Sequence, residues 1–374
     1  MAAVKQKEPS VRIVKRDSIP LWKSIAIRIA AILLSLVVCA GLIYMITHSN
    51  PVQVYRSMLD GAVGTGRRTW NTMRDTMILL ATALAITPAF KMRFWNIGAE
   101  GQILVGGIAT AAVMRYCGES MPTLLLFLVM IVASLAAGMI WGLFPAVFKA
   151  HWNTNETLFT LMMNYIAIQL TSFFSIVWEA KKGSGTIGTI NQKTQAGWIS
   201  TSFLPEIFGN FNYCINVFIV LTLTVLMFVY LKYTKQGYEI AVVGQSENTA
   251  RYAGINVKKV ILRTMAISGA ICGFTGFLLV SGSSHTISTS TAGGRGFTAI
   301  IVSWLAKFNP FVMILISFFL VFMGNGATQI ASEFKLNESA SEVITGIILF
   351  FILGSEFFVN YRLIFGKHGK EAKS

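Results

Sequence analysis

Residues 93–106 read RFWNIGAEGQILVG and lie between two apolar runs. The stretch places Asn96, Glu100 and Gln102 among Gly98, Gly101 and Gly106, with Gly107 directly after. A carboxylate next to hydrocarbon is costly unless it faces a cavity or a partner. Glycines at this spacing let backbones approach closely, or let a helix break where it lines a cavity. Two readings stand at this point: a broken helix inside a membrane-embedded bundle, and a polar helix start at the membrane surface. Both require a membrane around the stretch.

The composition agrees. Of 374 residues, 54% are hydrophobic and 13% charged, where soluble domains carry about 25% charged residues. Mean hydropathy is +0.62. Long uncharged runs identify an all-α polytopic membrane protein. The formal charge is +15, but the basic residues cluster in loops between apolar runs. Topology and anionic lipid explain that pattern, and no nucleic-acid-reading motif accompanies it. Cys39, Cys117, Cys214 and Cys272 show no close pairing, which favours buried inert thiols over a zinc site. The first apolar run is too long for a cleavable signal peptide, and no small-residue cleavage pattern follows it.

Outward from the opening stretch, about ten spans are expected, near 25–47, 75–90, 98–115, 123–148, 157–178, 214–232, 263–283, 297–306, 309–326 and 340–358. The second is short and ends at Pro88. The eighth is too short to cross alone and follows the glycine segment Gly293-Gly294-Arg295-Gly296. Residues 1–24 and 360–374 are basic and are expected in the cytoplasm around a membrane-spanning domain at 25–359. Arg28 is expected to snorkel to the headgroups. Residues 48–74 mix Val54, Met58 and Trp70 with charges, as an interfacial amphipathic helix would. Residues 179–213 form the long extracytoplasmic loop, either a solvated cap or a meeting place for an outside partner. Residues 233–262 are the most basic internal loop, expected inside. There Ser246 or Glu247 is placed to cap a short helix through Tyr252, and Gly254 to stop it.

The run Phe94-Trp95-Asn96-Ile97-Gly98-Ala99-Glu100-Gly101-Gln102 resembles the signature of the permease subunits of bacterial ABC importers for nucleosides and simple sugars, relatives of the branched-chain amino acid and ribose permeases. Asn155-Glu156-Thr157 through Met162-Met163-Asn164-Tyr165 also resembles that family. Gly237, Gly244, Asn248, Ala250, Tyr252, Ala253, Gly254 and Ile255 stand at matching positions of its cytoplasmic coupling loop. The resemblance implies a multi-pass protein of the bacterial plasma membrane that moves a small solute, a nucleoside or purine first, by alternating access. It implies three partners: an ABC ATP-binding subunit, a second permease subunit, identical or different, and an extracytoplasmic substrate-binding lipoprotein. ATP would be held by the ATP-binding subunit, with no cofactor or metal in this chain, which carries no Walker A pattern. Riboflavin, sugar and branched-chain amino acid stay open as cargo. The rival classes are an ion-coupled secondary transporter with Glu100 or Glu342 as proton carrier, and a non-transporting scaffold.

Candidate substrate-path residues are Asn96, Glu100, Gln102, Asn164 and Arg295. Glu100 and Arg295 form a candidate intramembrane pair, Glu100 can instead hold a helix break rigid, and Asn164 can equally serve helix–helix hydrogen bonding. Candidate coupling residues are Gly237, Gly244, Asn248, Arg251, Tyr252 and Gly254. A faint echo relates the fifth and tenth spans, aligning Glu156 with Glu342, and relates the two glycine breaks. An offset of five spans, an odd number, would make such a five-plus-five repeat inverted, with a site between the halves.

Overall fold

A computed structural model describes residues 11–16, 19–48, 50–199, 214–335 and 338–365. Among the described residues the regular elements are helices, apart from one two-stranded ladder. It divides into two compact units, Met1–Gly64 with Met323–Ser374, and Thr65–Phe322.

In the terminal unit, β1 (Val11–Lys15) leads into α1 (Leu21–Thr47) and α2 (Pro51–Val63), and α13 (Glu338–Asn360) leads into β2 (Tyr361–Phe365). β1 and β2 pair antiparallel, with Val11 opposite Phe365 and Lys15 opposite Tyr361. α1 packs along α13. The Arg28 guanidinium donates to Glu356 Oε1 from Nε at 2.9 Å. A carboxylate on the neighbouring helix thus meets the charge of Arg28. α2 starts at Pro51, and the Asn50 side chain accepts from Val52 N–H at 3.0 Å. Of the residues expected on one amphipathic helix within 48–74, Val54 and Met58 lie on α2, whereas Trp70 belongs to the next helix.

The larger unit contains α3 (Gly66–Lys91), α4 (Ala99–Cys117), α5 (Thr123–Trp152), α6 (Glu156–Val177), α7 (Cys214–Tyr233), α8 (Lys235–Gln245), α9 (Glu247–Tyr252), α10 (Val257–Leu279), the π-turn Val280–Ser284, α11 (Arg295–Leu305) and the start of α12 (Pro310–Glu333). Among the described residues, eight helices are long and apolar enough to cross a membrane. The glycine-rich α4 and the short α11 complete the ten expected elements. α3 is a correction. It runs 26 residues rather than the short 75–90, because Thr65 caps it ahead of its charged first turns and Pro88 is accommodated inside it.

α3 and α10 are the hubs, with 83% and 72% of their most apolar stretch buried, against about a third or less for α5, α6 and α7. α10 packs against α3, α4 and α5. Its approach to α5 needs glycine: a Cβ on Gly273 would lie 2.1 Å from Ser134 O, and one on Gly138 2.3 Å from Gly269 O. Small residues at such crossings let dispersion contacts and backbone proximity replace the hydrophobic effect, which is absent between helices in lipid. α3 also packs against α11. The side chain of Glu342, the proposed counterpart of Glu156, lies outside the described residues.

Candidate functional site: a double helix break and a capped surface helix

Seven residues, 92–98, separate α3 from α4, and Asn96 organises them. Its Oδ1 accepts from Gly98 N–H (3.1 Å) and from Gln102 Nε2 (3.2 Å). Its Nδ2 donates to Gln102 Oε1 (3.4 Å) and Ser268 Oγ (3.3 Å). Asn164, from α6, clamps the same segment by its backbone: its Oδ1 accepts from Gly101 N–H at 2.8 Å and its Nδ2 donates to Ile97 O at 2.7 Å. Thr160, one turn earlier, accepts from Ile97 N–H at 3.2 Å. Asn96, Gln102, Asn164 and Thr160 are all buried. Asn96 and Asn164 thus do what a missing turn of helix would do, supplying partners to backbone groups of the break, and Gln102 holds the Asn96 side chain in place.

The second break, the π-turn and the loop to Gly294, is joined to the first through Glu100. Its two carboxylate oxygens accept from Gly294 N–H (2.7 Å) and Gly296 N–H (2.8 Å). These donors flank Arg295, the first residue of α11. A carboxylate over a helix N-terminus meets unpaired N–H groups and the positive end of the helix dipole. The side-chain pair expected between Glu100 and Arg295 is therefore not the contact that forms. The Arg295 guanidinium turns to Asp75 on α3 at 3.4 Å and to the carbonyls of Thr291 and Ala292 at 3.5 and 3.4 Å. Glu100 holds the break, the alternative left open by the sequence. Gly296 leaves room for this: a Cβ there would lie 2.6 Å from Glu100 N.

The segment after α7 is built from three successive side-chain caps. Thr234 accepts from Gly237 N–H (3.1 Å), Ser246 from Thr249 N–H (3.2 Å) and Asn256 from Lys259 N–H (3.1 Å). They start α8, α9 and α10 in turn. Gly254, at φ +75°, ends the α9 turn in the left-handed conformation. Ala250 is the buried anchor of α9, in an apolar cluster with Met92, Phe94, Ile240, Val243 and Val260. Asn248 and Arg251 are exposed, and Tyr252 is 93% exposed. Gly237 and Gly244 point the other way. Cβ atoms there would lie 2.4 Å from Tyr230 O and 2.1 Å from Lys91 O, so these two seat α8 against the bundle. Arg251 pairs with Glu247 at 3.6 Å along the α9 face.

The sequence pattern of the family described as branched-chain amino acid transport system / permease component matches residues 69–353. The chain belongs to that family. Among curated relatives of this permease, a guanosine ABC transporter permease protein of Bacillus subtilis is 27% identical over 91% of this chain and 95% of its own. A glucose ABC transporter permease protein of Haloferax volcanii is 26% identical over 96% and 95%. A nucleoside ABC transporter permease protein of Lactococcus lactis is 25% identical over 83% and 86%.

At the far end of the permease bundle, the described part of the 179–213 loop is fastened down. Asn191 Nδ2 donates to Met114 O at 2.7 Å, and Ile190 N–H donates to His285 O at 2.9 Å. The Trp198 and His285 rings stack at 3.8 Å and 7°. Burial pushes the His285 imidazole down to about 4, so it stacks as a neutral ring at neutral pH. Residues 200–213 lie outside the described residues. Among those described, no His/Cys/Asp/Glu cluster could hold a metal, and Cys39, Cys117 and Cys272 are free. Asp75 and Thr160 were missed in the sequence. The available signal for Thr160 was its place one turn before Asn164 on one helix face.

Proposed function

We propose that this chain is the membrane-spanning subunit of an ABC importer that carries a nucleoside, purine nucleosides first, across the plasma membrane on ATP hydrolysed by a separate subunit. The observation that carries the reading is the family match over most of the chain, joined to a short, individually capped helix with Asn248, Arg251 and Tyr252 exposed, the form a motor-docking element needs. The guanosine and nucleoside relatives favour nucleoside cargo, and the glucose relative keeps sugars as the second reading.

In this reading 233–262 is cytoplasmic, 179–213 faces outside, and both terminal segments are cytoplasmic. The β1–β2 ladder supports the last point, since strands that exchange hydrogen bonds lie on one side of a membrane. The partners are the ATP-binding subunit, a second permease subunit and an extracytoplasmic binding lipoprotein, and the chain itself holds no cofactor. Asn96, Glu100, Gln102, Asn164 and Arg295 border the path by fixing the two breaks, while the binding protein supplies affinity. Glu100 suits a proton carrier poorly, because both its oxygens are already engaged by the N–H groups of Gly294 and Gly296 at the start of α11.

Gly254→Asp and Arg251→Glu, each inserted normally, should lose stimulation of the ATP-binding subunit. Unchanged stimulation in both would overturn the docking assignment. Uptake that survives ATP depletion yet collapses with an uncoupler would transfer the protein to the ion-coupled class. Ligand identification on the binding protein would decide between nucleoside and sugar.

A further inference from the structure

An open cavity of about 480 Å³ lies where α3, α7 and α8 meet the turn between α11 and α12. Three lysines line it, Lys91, Lys232 and Lys307, each from a different element, and no Asp or Glu does. Lys91 Nζ donates to Leu231 O at 3.4 Å, which uses one of its three protons. Lys232 Nζ is held 5.2 Å above the Phe228 ring and 5.4 Å above Tyr233. Lys307 and Phe308 both adopt positive φ, 51° and 61°. Two consecutive non-glycine residues in that region carry a conformational cost that marks functional turns.

The rim is aromatic. Trp95 and Trp304 stack at 5.7 Å with each nearly half exposed, and Phe308 packs on Trp304 at 5.4 Å. Phe311 packs on Phe228 at 4.9 Å, and Tyr238 is 67% exposed. Exposed tryptophan and tyrosine beside a basic cavity are the residue types of a membrane–water interface. Like charges converging on one cavity are destabilising until an anion enters, and basic pockets between transmembrane helices on the cytoplasmic side take acidic lipid headgroups.

We propose that this cavity is a binding site for one anionic glycerophospholipid of the cytoplasmic leaflet. Its phosphate sits among Lys91, Lys232 and Lys307, and its acyl chains run down past Phe228 and Phe311. The volume suits a glycerophosphate headgroup, since ligand pockets run from about 300 to 1,000 Å³. The site adjoins α8, so an occupied cavity would brace the element that leads into α9. The inference depends on the cytoplasmic placement of that segment. The lipid readout below does not depend on what the permease transports.

The test uses full-length permease bound to its ATP-binding subunit, in phosphatidylcholine micelles titrated with pyrene-labelled phosphatidylglycerol. Wild type should retain the anionic probe in preference to a phosphatidylcholine analogue. A lysine at an anionic surface contributes about 1 kcal/mol, or about fivefold. Lys232→Gln and Lys307→Gln, both at exposed side chains, should each weaken retention about fivefold, and the triple variant with Lys91→Gln more than tenfold. Lys258→Gln with Lys259→Gln, which removes charge elsewhere on the same face, should change nothing. Equal retention by the lysine variants would overturn the proposal. So would unchanged lipid retention with loss of the ATP-binding subunit, which would make the cavity a protein dock. If the triple variant does not assemble, the two single variants decide.

Discussion

Replacing Glu100 by Gln separates the structural role of this carboxylate from any role in chemistry. Both oxygens are engaged by N–H donors, Gly294 at 2.7 Å and Gly296 at 2.8 Å, and the side chain is 7% exposed. Gln has one acceptor oxygen, so one N–H faces an NH₂ donor. A hydrogen bond to a charged group contributes about 1.5–3 kcal/mol, and that loss includes the donor left unpaired. The dipole at the start of α11 adds about 0.3–1 kcal/mol, more in a partly buried site. The two together come to about 2–4 kcal/mol, concentrated at the break between α10 and α11. The expected result is a lower apparent melting temperature of the detergent-purified protein, with faster proteolysis within residues 286–294. Uptake should fall with the loss of folded protein. Glu100→Gln with unchanged melting and an unchanged cleavage pattern would refute the capping role. If uptake were then abolished as well, the proton-carrier reading would return.

Asn164→Leu leaves Gly101 N–H and Ile97 O without partners, each at a cost of about 1–3 kcal/mol; it should lower thermal stability, whereas a purely solute-binding Asn164 would change uptake affinity alone. Arg295→Ala should cost no more than about 1 kcal/mol, because the pair with Asp75 is partly solvated and 3.4 Å long, and a melting loss as large as that of Glu100→Gln would contradict the assigned contacts. Gly273→Val drives a side chain into Ser134 O and the Gly138 backbone, and overpacking of this kind costs about 1–3 kcal/mol or more; the yield of folded protein should collapse. His285, held near 4 by burial, is protonated in the unfolded chain first as pH falls below its usual 6.5. Its neutral stacking is therefore intact above about pH 6.5 and weakens toward pH 4. Protease cleavage of the 179–199 loop should rise on acidification to pH 4.5 in wild type, and His285→Gln should flatten that dependence.

How much of this was legible follows from what each signal measures. Apolar runs report lipid contact or burial, and every expected span has a helix at its place. The same criterion shortened α3, because Arg67, Arg68 and Arg74 sit in its first turns although the helix continues through them. α8 was missed for the opposite reason. Its apolar run, Ile240 to Val243, is short and flanked by Lys235, Gln236, Glu239 and Gln245, and only Gly237, Ile240, Val243 and Gly244, at three- and four-residue spacing, turn inward. The caps were readable because Ser246 and Gly254 act on their own neighbours. The β1–β2 ladder was not, since five-residue strands at opposite ends of the chain carry no local trace of their pairing.

The misreading at Glu100 has a more general cause. A carboxylate and a guanidinium in two glycine-flanked breaks invite a charge pair, because side chains are what a sequence displays. The backbone is the larger reservoir of donors, and a helix that starts inside a bundle exposes its first N–H groups with no water to take them. Gly293 and Gly294, at φ 59° and 71°, swing the chain so that the N–H groups on both sides of Arg295 meet one carboxylate. The guanidinium, carried on the residue between them, goes to Asp75 instead. A glycine on each side of a charged residue at a broken helix is thus evidence about amide groups first and about the charge second. At this site that ordering makes Glu100 a cap, and it requires Gly296→Ala to resemble Glu100→Gln, since the added methyl carbon would sit 2.8 Å from Glu100 Oε2. Two variants on different helices with one proteolytic signature would be difficult to obtain from a solute-binding carboxylate.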